Sequence, residues 1–433
     1  MNALKQLFSG NTRQFGMIFA LVALILLFQV LTGGFVLTPA NVQNLLNGNS
    51  YILILAIGMV LVIIAGHIDL SVGSVAAFVG IVVAISMRDL SLPWYVGVLI
   101  GLALGALIGA WQGFWVAYVG IPAFIVTLAG MLLFRGANQF VGQSNTIPVS
   151  SDFQYLGAGY LPEVGPDTGF NNLTLLVGFL AVAAVITLTV RRRRRDAKVG
   201  ATRPPIWVDV VRTGLLVAVL LYATQLFATG RPGTSFPVPG LILGVLLLLY
   251  GFLSTKTVFG RHVYAVGGNK HAAELSGVRS KRVDFLVMLN MSVLAALAGM
   301  IFVGRSTGSG PFDGTGWELD AIAAVFIGGA AVSGGVGTVI GSVIGGLVMA
   351  VLNNGLQLLG VGADLQSIIK GLVLLVAVAL DVYNKRQGRP SLIGLMMSRL
   401  GGGRRSTPVD PESPLPGPDT TRQDTSELIH SES

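Results

Sequence analysis

The sequence predicts an all-α polytopic membrane protein with about twelve transmembrane helices, and three observations indicate this fold class. Of the 433 residues, 53% are hydrophobic and only 11% are charged, and the mean hydropathy is +0.75. Apolar runs long enough to cross a bilayer recur along the chain. Lysine and arginine concentrate in a few of the connections between these runs, as they do in membrane proteins of fixed orientation.

The predicted spans follow from apolar runs of roughly 17 to 25 residues, the length that a bilayer requires. They lie at 17–37, 52–66, 71–87, 94–118, 122–141, 173–190, 206–229, 237–253, 285–304, 319–333, 335–357 and 364–381. The first span follows Lys5 and Arg13 as a signal peptide would. It lacks a small-residue cleavage site, so we expect it to be retained as an anchor.

Charge placement predicts the orientation of the chain. The segments 191–203, 254–284 and 384–389 are rich in lysine and arginine, whereas the long connection 142–172 contains neither residue. The positive-inside rule therefore places both termini in the cytoplasm. The run "RRRRR" at 191–195 is explained by topology or by anionic lipid, so the net charge of +8 does not require nucleic acid. We expect residues 386–433 to form a disordered cytoplasmic tail, because from about 399 onward the chain is rich in Gly, Pro, Ser, Thr and Asp.

A repeat and two glycine stripes suggest how the helices pack. The stretch 101–124 resembles 341–364, and the two copies would cross the membrane in opposite directions, as in inverted-repeat transporters. Glycines four residues apart on one helix face let another helix approach closely. Such glycine stripes are explained either by packing against another helix of the same chain or by contact with a second copy. The two stripes consist of Gly101, Gly105, Gly109, Gly337, Gly341 and Gly345.

The stretch "GHIDLSVGS" at 66–74 interrupts apolar sequence with ionisable residues. Gly66 can end one helix, and Asp69 or Ser71 can cap the next by accepting hydrogen bonds from its free N–H groups. This predicts a helix break inside the membrane. His67 and Asp69 could instead line a polar pathway or relay protons, because ionisable groups within spans are costly.

A second break is predicted at 318–338. Glu318 and Asp320 suit a helix N-terminus, and the five glycines within 328–337 suit a re-entrant or broken helix. This stretch could equally be a buried structural corner. On the following span, Asn353, Asn354 and Gln357 share one face and either line a pathway or bond to a neighbouring helix.

Four long stretches carry a family resemblance. They are "AIGMVLVIIAGHIDLSVGSVAAFVG", "GIPAFIVTLAGMLLFRGANQ", "GRHVYAVGGNKHAAELSGVRSKRVDFLVMLNMSVLAALAGM" and "LDAIAAVFIGGAAVSGGVGTVIGSVIGGLVMAVLNNGLQLLGV". Together they resemble permease subunits of ABC-type importers for ribose, xylose and galactose. The resemblance implies a permease domain over 1–385 with a ten-helix core, and the extra helix pair at about 173–229 is similar to the D-xylose type.

The resemblance also implies partners. They are a second permease copy, a cytoplasmic ATPase that binds ATP and Mg²⁺, an extracytoplasmic sugar-binding protein and the lipid of a bacterial inner membrane. This chain contains no GK dipeptide, so it has no Walker A motif, and we expect no catalytic residue, cofactor or metal of its own.

The cytoplasmic loop 254–284 matches the segment through which such permeases contact their ATPase. Asn269 can cap a short helix, Lys270 and Glu274 can pair at i, i+4, and Gly277 can close the helix in a left-handed conformation. Without the resemblance this would be an ordinary basic loop. The predicted coupling residues are Asn269, Lys270, Ala272, Ala273, Glu274, Leu275, Ser276 and Gly277.

Two other transport functions are alternatives. A proton-coupled secondary transporter would use His67, Asp69 or Asp320 as its coupling group. A branched-chain amino-acid ABC permease has similar glycine-rich segments, and its binding protein would distinguish it. An intramembrane aspartyl protease is disfavoured, because the chain has neither the GxGD motif nor a YD pair.

Overall fold

The computed structural model describes residues 12–200, 205–230 and 233–386. All of them belong to the first of two units into which the chain divides, Met1–Ser391. The second unit, Leu392–Ser433, lies outside the described residues, as does all of the predicted tail except Arg386.

Within the described residues the chain forms fifteen helices and two strands of two residues each. The helices are α1 Thr12–Leu31, α2 Pro39–Ile64, α3 Val72–Asp89, α4 Trp94–Phe114, α5 Ala123–Val141, α6 Ser151–Ala158, α7 Asn172–Lys198, α8 Ile206–Ala228, α9 Val238–Lys256, α10 Val258–Gly268, α11 Lys270–Leu275, α12 Ser280–Arg305, α13 Trp317–Ile327, α14 Val339–Leu358 and α15 Ala363–Arg386. A π-helical turn, Trp115–Val119, extends α4. The strands β1 Ile147–Pro148 and β2 Gly308–Ser309 pair antiparallel.

The prediction of an all-α polytopic membrane protein is confirmed. In the described ranges nine helices are long and apolar enough to cross a bilayer: α2, α3, α4 with its π-helical turn, α5, α7, α8, α9, α12 and α14. The other three predicted spans coincide with α1, whose apolar part is 16–31, with the short α13 and with α15. Every predicted span therefore contains a helix.

Helix α2 forms the centre of the bundle. Its residues Leu53 to Ile57 are fully buried, and it packs against α12, α13, α14 and α9. The predicted start at residue 52 was wrong, because α2 begins at Pro39. Its polar first half resembles a loop in sequence, yet these side chains find partners: Gln43 Nε2, for example, donates to the carbonyl of Phe227 at 3.0 Å.

The predicted break at 318–338 is present. Helix α13 begins at Trp317 with Glu318 and Asp320 in its first turn, and it ends at Ile327 rather than at the predicted residue 333. Residues 328–338 then run without helix to the start of α14. At about 1.5 Å per residue, α13 is only roughly 16 Å long, which is about half the thickness of a bilayer core.

Helices α7 and α8 form a hairpin at the edge of the bundle. They pack mainly on each other and expose large apolar side chains such as Leu180, Leu188 and Leu215, as lipid-facing helices do. The predicted end of α7 at residue 190 was wrong, since the helix continues through the arginine run to Lys198. Arginine is a good helix former, and Arg193 forms an ion pair with Asp209 of α8.

The connection 142–171 is folded against the bundle. It contributes β1 and α6, and Phe153 of α6 is fully buried. Gly157 lies directly against the backbone of α12 at Ile301 and Arg305, where a side chain would have no space. This connection therefore covers the end of α12 that carries Arg305.

Candidate functional site

The segment 258–284 contains two helices, α10 and α11, followed by the start of α12. Asn269 caps α11 as predicted, because its side-chain oxygen accepts a hydrogen bond from Ala272 N–H at 2.9 Å. Gly277 closes the turn with a φ of +84°, which confirms the predicted left-handed conformation. We call residues 258–284 the coupling segment from here on, after the role that the sequence predicts for this loop.

The predicted pairing of Lys270 with Glu274 was wrong. Lys270 Nζ instead donates to Asp284 Oδ2 at 2.9 Å, and Glu274 accepts a hydrogen bond from the hydroxyl of Ser280. The physical reason is burial: Asp284 is only 2% exposed, and a buried carboxylate without partners would be far more costly than an unpaired surface glutamate.

Asp284 also contacts the first helix break. His67 Nε2 lies 3.0 Å from Asp284 Oδ1, and since a carboxylate only accepts, this nitrogen carries the proton. One buried carboxylate thus joins Lys270 of α11, its own helix α12 and the turn between α2 and α3. We call Lys270, Asp284 and His67 the junction.

The predicted helix break is present at 65–71, but the predicted cap of α3 by Asp69 or Ser71 was wrong. Gly66 ends α2 with a φ of +89°, and Asp69 is fully buried. Asp69 Oδ1 accepts hydrogen bonds from Ser71 N–H at 2.8 Å and from the Ser71 hydroxyl at 2.6 Å. The Ser71 hydroxyl therefore does not cap α3, and it accepts instead from Gln112 Nε2 at 2.8 Å.

The coupling segment also contacts the glycine-rich turn 328–338. Tyr264 of α10 donates its hydroxyl to the carbonyl of Gly337 at 2.7 Å, and burial raises the pKa of this phenol, so it stays protonated. Gly335 N–H in turn donates to the carbonyl of Ile64 at the end of α2, at 2.8 Å. Both helix breaks therefore meet the coupling segment at one end of the bundle.

A cavity of about 460 Å³ lies beside the junction. The junction residues line it together with Glu274, Ser280 and the turn 120–124 between α4 and α5. His67 therefore lines a cavity, whereas Asp69 lies buried in the hydrogen-bond network of the break. His67 and Asp69, which the sequence analysis treated as one pair of pathway candidates, therefore have different surroundings.

The remaining pathway candidates gather at the opposite end of the bundle. Asp320, Asn353, Asn354 and Gln357 line a second cavity, of about 370 Å³. Asp320 forms an ion pair with Lys370 of α15, with Nζ and Oδ1 3.3 Å apart. Asn354 and Asn41 of α2 exchange two hydrogen bonds of 2.9 Å, so Asn354 bonds to a neighbouring helix and also lines the cavity.

Both glycine stripes pack within this chain, but the predicted helix face of the second was wrong at Gly337, which lies before the start of α14 at Val339. Gly101, Gly105 and Gly109 of α4 face α12, where a methyl group on Gly105 would lie 2.5 Å from Ala296 Cβ. Gly337 faces Ile64, and Gly341 and Gly345 lie against Ala324 and Gly328 around the end of α13. The contacts support the helix-packing explanation of these stripes.

Several residues of these sites were missed in the sequence. Asp284, Gln112 and Lys370 are single polar residues in or beside apolar helices, and their importance depends on partners 41 to 217 positions away. An acidic residue at the entrance of an apolar span, two positions after the basic stretch 279–282, was the available signal for Asp284. Its partner His67 could not be inferred from spacing.

Comparison with protein families matches residues 41–378 to the family described as branched-chain amino acid transport system / permease component. No solved structure matches the chain.

Curated proteins similar to this chain include xylose and ribose permeases. It is 41% identical over 385 residues to the xylose transport system permease protein XylH of Escherichia coli K12, which covers 88% of this chain and 95% of that protein. The Haemophilus influenzae XylH is 40% identical over 380 residues, or 88% and 98% of the two chains. The ribose import permease protein RbsC of Escherichia coli K12 is 36% identical over 368 residues, or 85% and 92%.

Proposed function

This chain belongs to the family described as branched-chain amino acid transport system / permease component, and from that premise we propose that it is the membrane subunit of an ABC importer for a monosaccharide. The carrying observation is its identity to xylose and ribose permeases over nearly its whole length. The branched-chain amino-acid alternative is not favoured, because these relatives are named as xylose and ribose permeases. We propose D-xylose or a related sugar as the substrate.

The substrate is tested by uptake into proteoliposomes. The chain is reconstituted with its partner ATPase and binding protein, ATP is enclosed, and labelled D-xylose, D-ribose and L-leucine are compared. We expect uptake of a monosaccharide that requires both the binding protein and ATP. Uptake of leucine in place of either sugar would overturn the assignment to sugars.

We propose that α11 is the surface on which the ATPase docks. An isolated helix of six residues is unstable in water, yet α11 is ordered by its Asn269 cap and by the junction. Its last residue, Leu275, is 77% exposed, an apolar side chain suited to a partner cleft. ATP and Mg²⁺ would bind to that partner.

The absence of cysteine from the chain makes this docking testable. A single Leu275→Cys substitution should cross-link to the ATPase in the assembled complex. The matched control is Phe312→Cys, since Phe312 is equally exposed but lies in the connection before α13. Cross-linking at position 312 and none at 275 would contradict the proposed docking surface.

The same two variants test orientation. We propose that both termini and the coupling segment face the cytoplasm of a bacterial inner membrane, on the basis of the lysine and arginine distribution. A membrane-impermeant thiol reagent added to intact cells should label position 312 and leave position 275 unlabelled. The opposite pattern would reverse the topology.

We propose two further partners, a second copy of the chain and anionic lipid. A second copy of the chain would complete the pathway, as the resemblance to ABC permeases implies. Anionic lipid would contact the arginines at the end of α7, where headgroups lie in the proposed orientation. Mass measurement of the purified complex in nanodiscs would test both, with two permease copies expected.

A further inference from the structure

The cavity at the end of the bundle opposite the coupling segment is lined almost entirely by polar side chains. Helices α2, α12, α13, α14 and α15 all contribute to it. Of its described lining residues, only Leu45, Gly48 and Ile52 lack a polar side chain. At about 1.5 Å per residue along α12, Arg305 in this cavity lies roughly 30 Å from Asp284 in the junction.

Most of the polar side chains that line this cavity are neutral amides. The amides belong to Asn44, Asn49, Asn353, Asn354, Gln357 and Gln366, and Asn354 is already bonded to Asn41. Each free side-chain amide presents donors and an acceptor in one plane, which matches a sugar hydroxyl that both donates and accepts. The oxygen of Asn353 is buried and has no hydrogen-bond partner among the described residues, so this acceptor is unsatisfied.

The charged groups of the cavity lining are one ion pair and one arginine. Asp320 is paired with Lys370, which leaves little net charge at that wall. The Arg305 guanidinium lies against Gly48, where a Cβ would be only 3.0 Å from Nη1. Tyr51 adds an aromatic side chain, held by Trp317 and Phe302 with ring centroids 4.4 and 5.0 Å away. Aromatic rings beside planar polar groups suit the apolar faces and hydroxyls of a pyranose.

The volume fits a small molecule. The cavity measures about 370 Å³, within the range of about 300 to 1,000 Å³ that small-molecule sites occupy. A branched-chain amino acid would place an apolar side chain against amides and leave them unpaired, which is costly. The amide-rich lining therefore favours a multiply hydroxylated ligand.

We propose that this cavity is a monosaccharide site within the permease, occupied by the sugar after it leaves the binding protein and before it moves inward. The amides of Asn353 and Gln357 hold its hydroxyl groups. Weak binding is expected, because a transit site must release what it accepts. The inference rests on the proposed function and deepens it.

Occupancy can be measured without any partner subunit. A single Gln357→Cys substitution places a thiol at an exposed position of the lining, and its reaction rate with a small hydrophilic thiol reagent is followed in the full chain. At a sugar concentration about ten times the dissociation constant, D-xylose or D-ribose should slow labelling about tenfold. L-leucine and glycerol at equal concentration should not, and the Leu275→Cys thiol should be unaffected by all four.

A second experiment separates this inference from the proposed function. In the complete importer, Asn353→Ala combined with Gln357→Ala should lower sugar uptake about tenfold or more, and a tenfold change corresponds to about 1.4 kcal/mol. ATP hydrolysis stimulated by the binding protein should stay within about twofold of the unaltered complex. Gln225→Ala, which removes an exposed amide of α8, should leave both unchanged.

Failure of the proposed function and failure of the proposed sugar site give different results. If the unaltered complex takes up no sugar, the proposed function fails. If it takes up sugar, but the double variant does so equally well and sugar protects the 357 thiol no better than leucine or glycerol, the cavity is not a sugar site and the importer assignment stands.

Discussion

Replacing Asp284 with asparagine is expected to uncouple ATP hydrolysis from transport. The substitution keeps the shape of the side chain and removes the charge that joins α11 to the break between α2 and α3. Lys270 is 53% exposed, so solvent limits its ion pair to at most about 1 kcal/mol. The hydrogen bond from His67, which is 19% exposed, is charge-assisted and worth about 1.5 to 3 kcal/mol.

The net effect is smaller than the sum of these two interactions. Asparagine retains one neutral hydrogen bond worth about 1 kcal/mol, so the expected loss of coupling free energy is about 1 to 3 kcal/mol. That loss corresponds to a reduction of about 5- to 150-fold in the linkage between two sites. We expect sugar transported per ATP hydrolysed to fall at least about fivefold.

The assay is simultaneous measurement of uptake and ATP hydrolysis in proteoliposomes that contain the full complex. Asp364→Asn is the matched control, because it makes the same chemical change at an exposed carboxylate on α15. Lys270→Met combined with Asp284→Asn should lose less than the two single variants together, since all act through one carboxylate. A complex of Asp284→Asn that assembles fully and transports the normal amount of sugar per ATP would refute the role of the junction.

The remaining predictions concern packing and the coupling helix. Gly105→Ala should lower the free energy of unfolding by about 1 to 3 kcal/mol, because the added methyl meets Ala296, whereas Gly136→Ala, with no atom within 4 Å, should not; thermal unfolding in detergent measures both. The double substitution Glu274→Arg and Gly277→Pro should abolish uptake in a folded complex, because proline cannot adopt the positive φ of position 277. Tyr264→Phe should cost about 1 kcal/mol of stability by removing the bond to Gly337, and normal stability would show that this contact contributes nothing.

Much of the fold could be predicted because bilayer crossing imposes a strong pattern on sequence. Apolar length located every span, and glycine at positions 66 and 277 marked two helix ends that need a positive φ. The first half of α2 was missed because its amides resemble a loop until their partners, such as the carbonyl of Phe227, are known. Local sequence contains no information about such distant bonds.

In the candidate sites too, local interactions could be predicted from the sequence and long-range contacts could not. The Asn269 cap is a local interaction and was predicted, whereas the pairing of Lys270 was predicted locally and is in fact set by a buried carboxylate fourteen positions away. His67 and Asp69 looked equivalent in sequence, and tertiary packing gives them different surroundings. Asp320 and Asn353 share a cavity only because α13 and α14 fold back on α2.

The energy source of transport tests the central claim most directly. Labelled D-xylose accumulation is measured in proteoliposomes under two conditions: the chain with its ATPase, its binding protein and internal ATP, and the chain alone with an imposed pH gradient. The importer account predicts accumulation in the first condition and none in the second. Accumulation driven by the pH gradient without the ATPase would contradict it and would make His67 and Asp320 the groups to study as proton carriers.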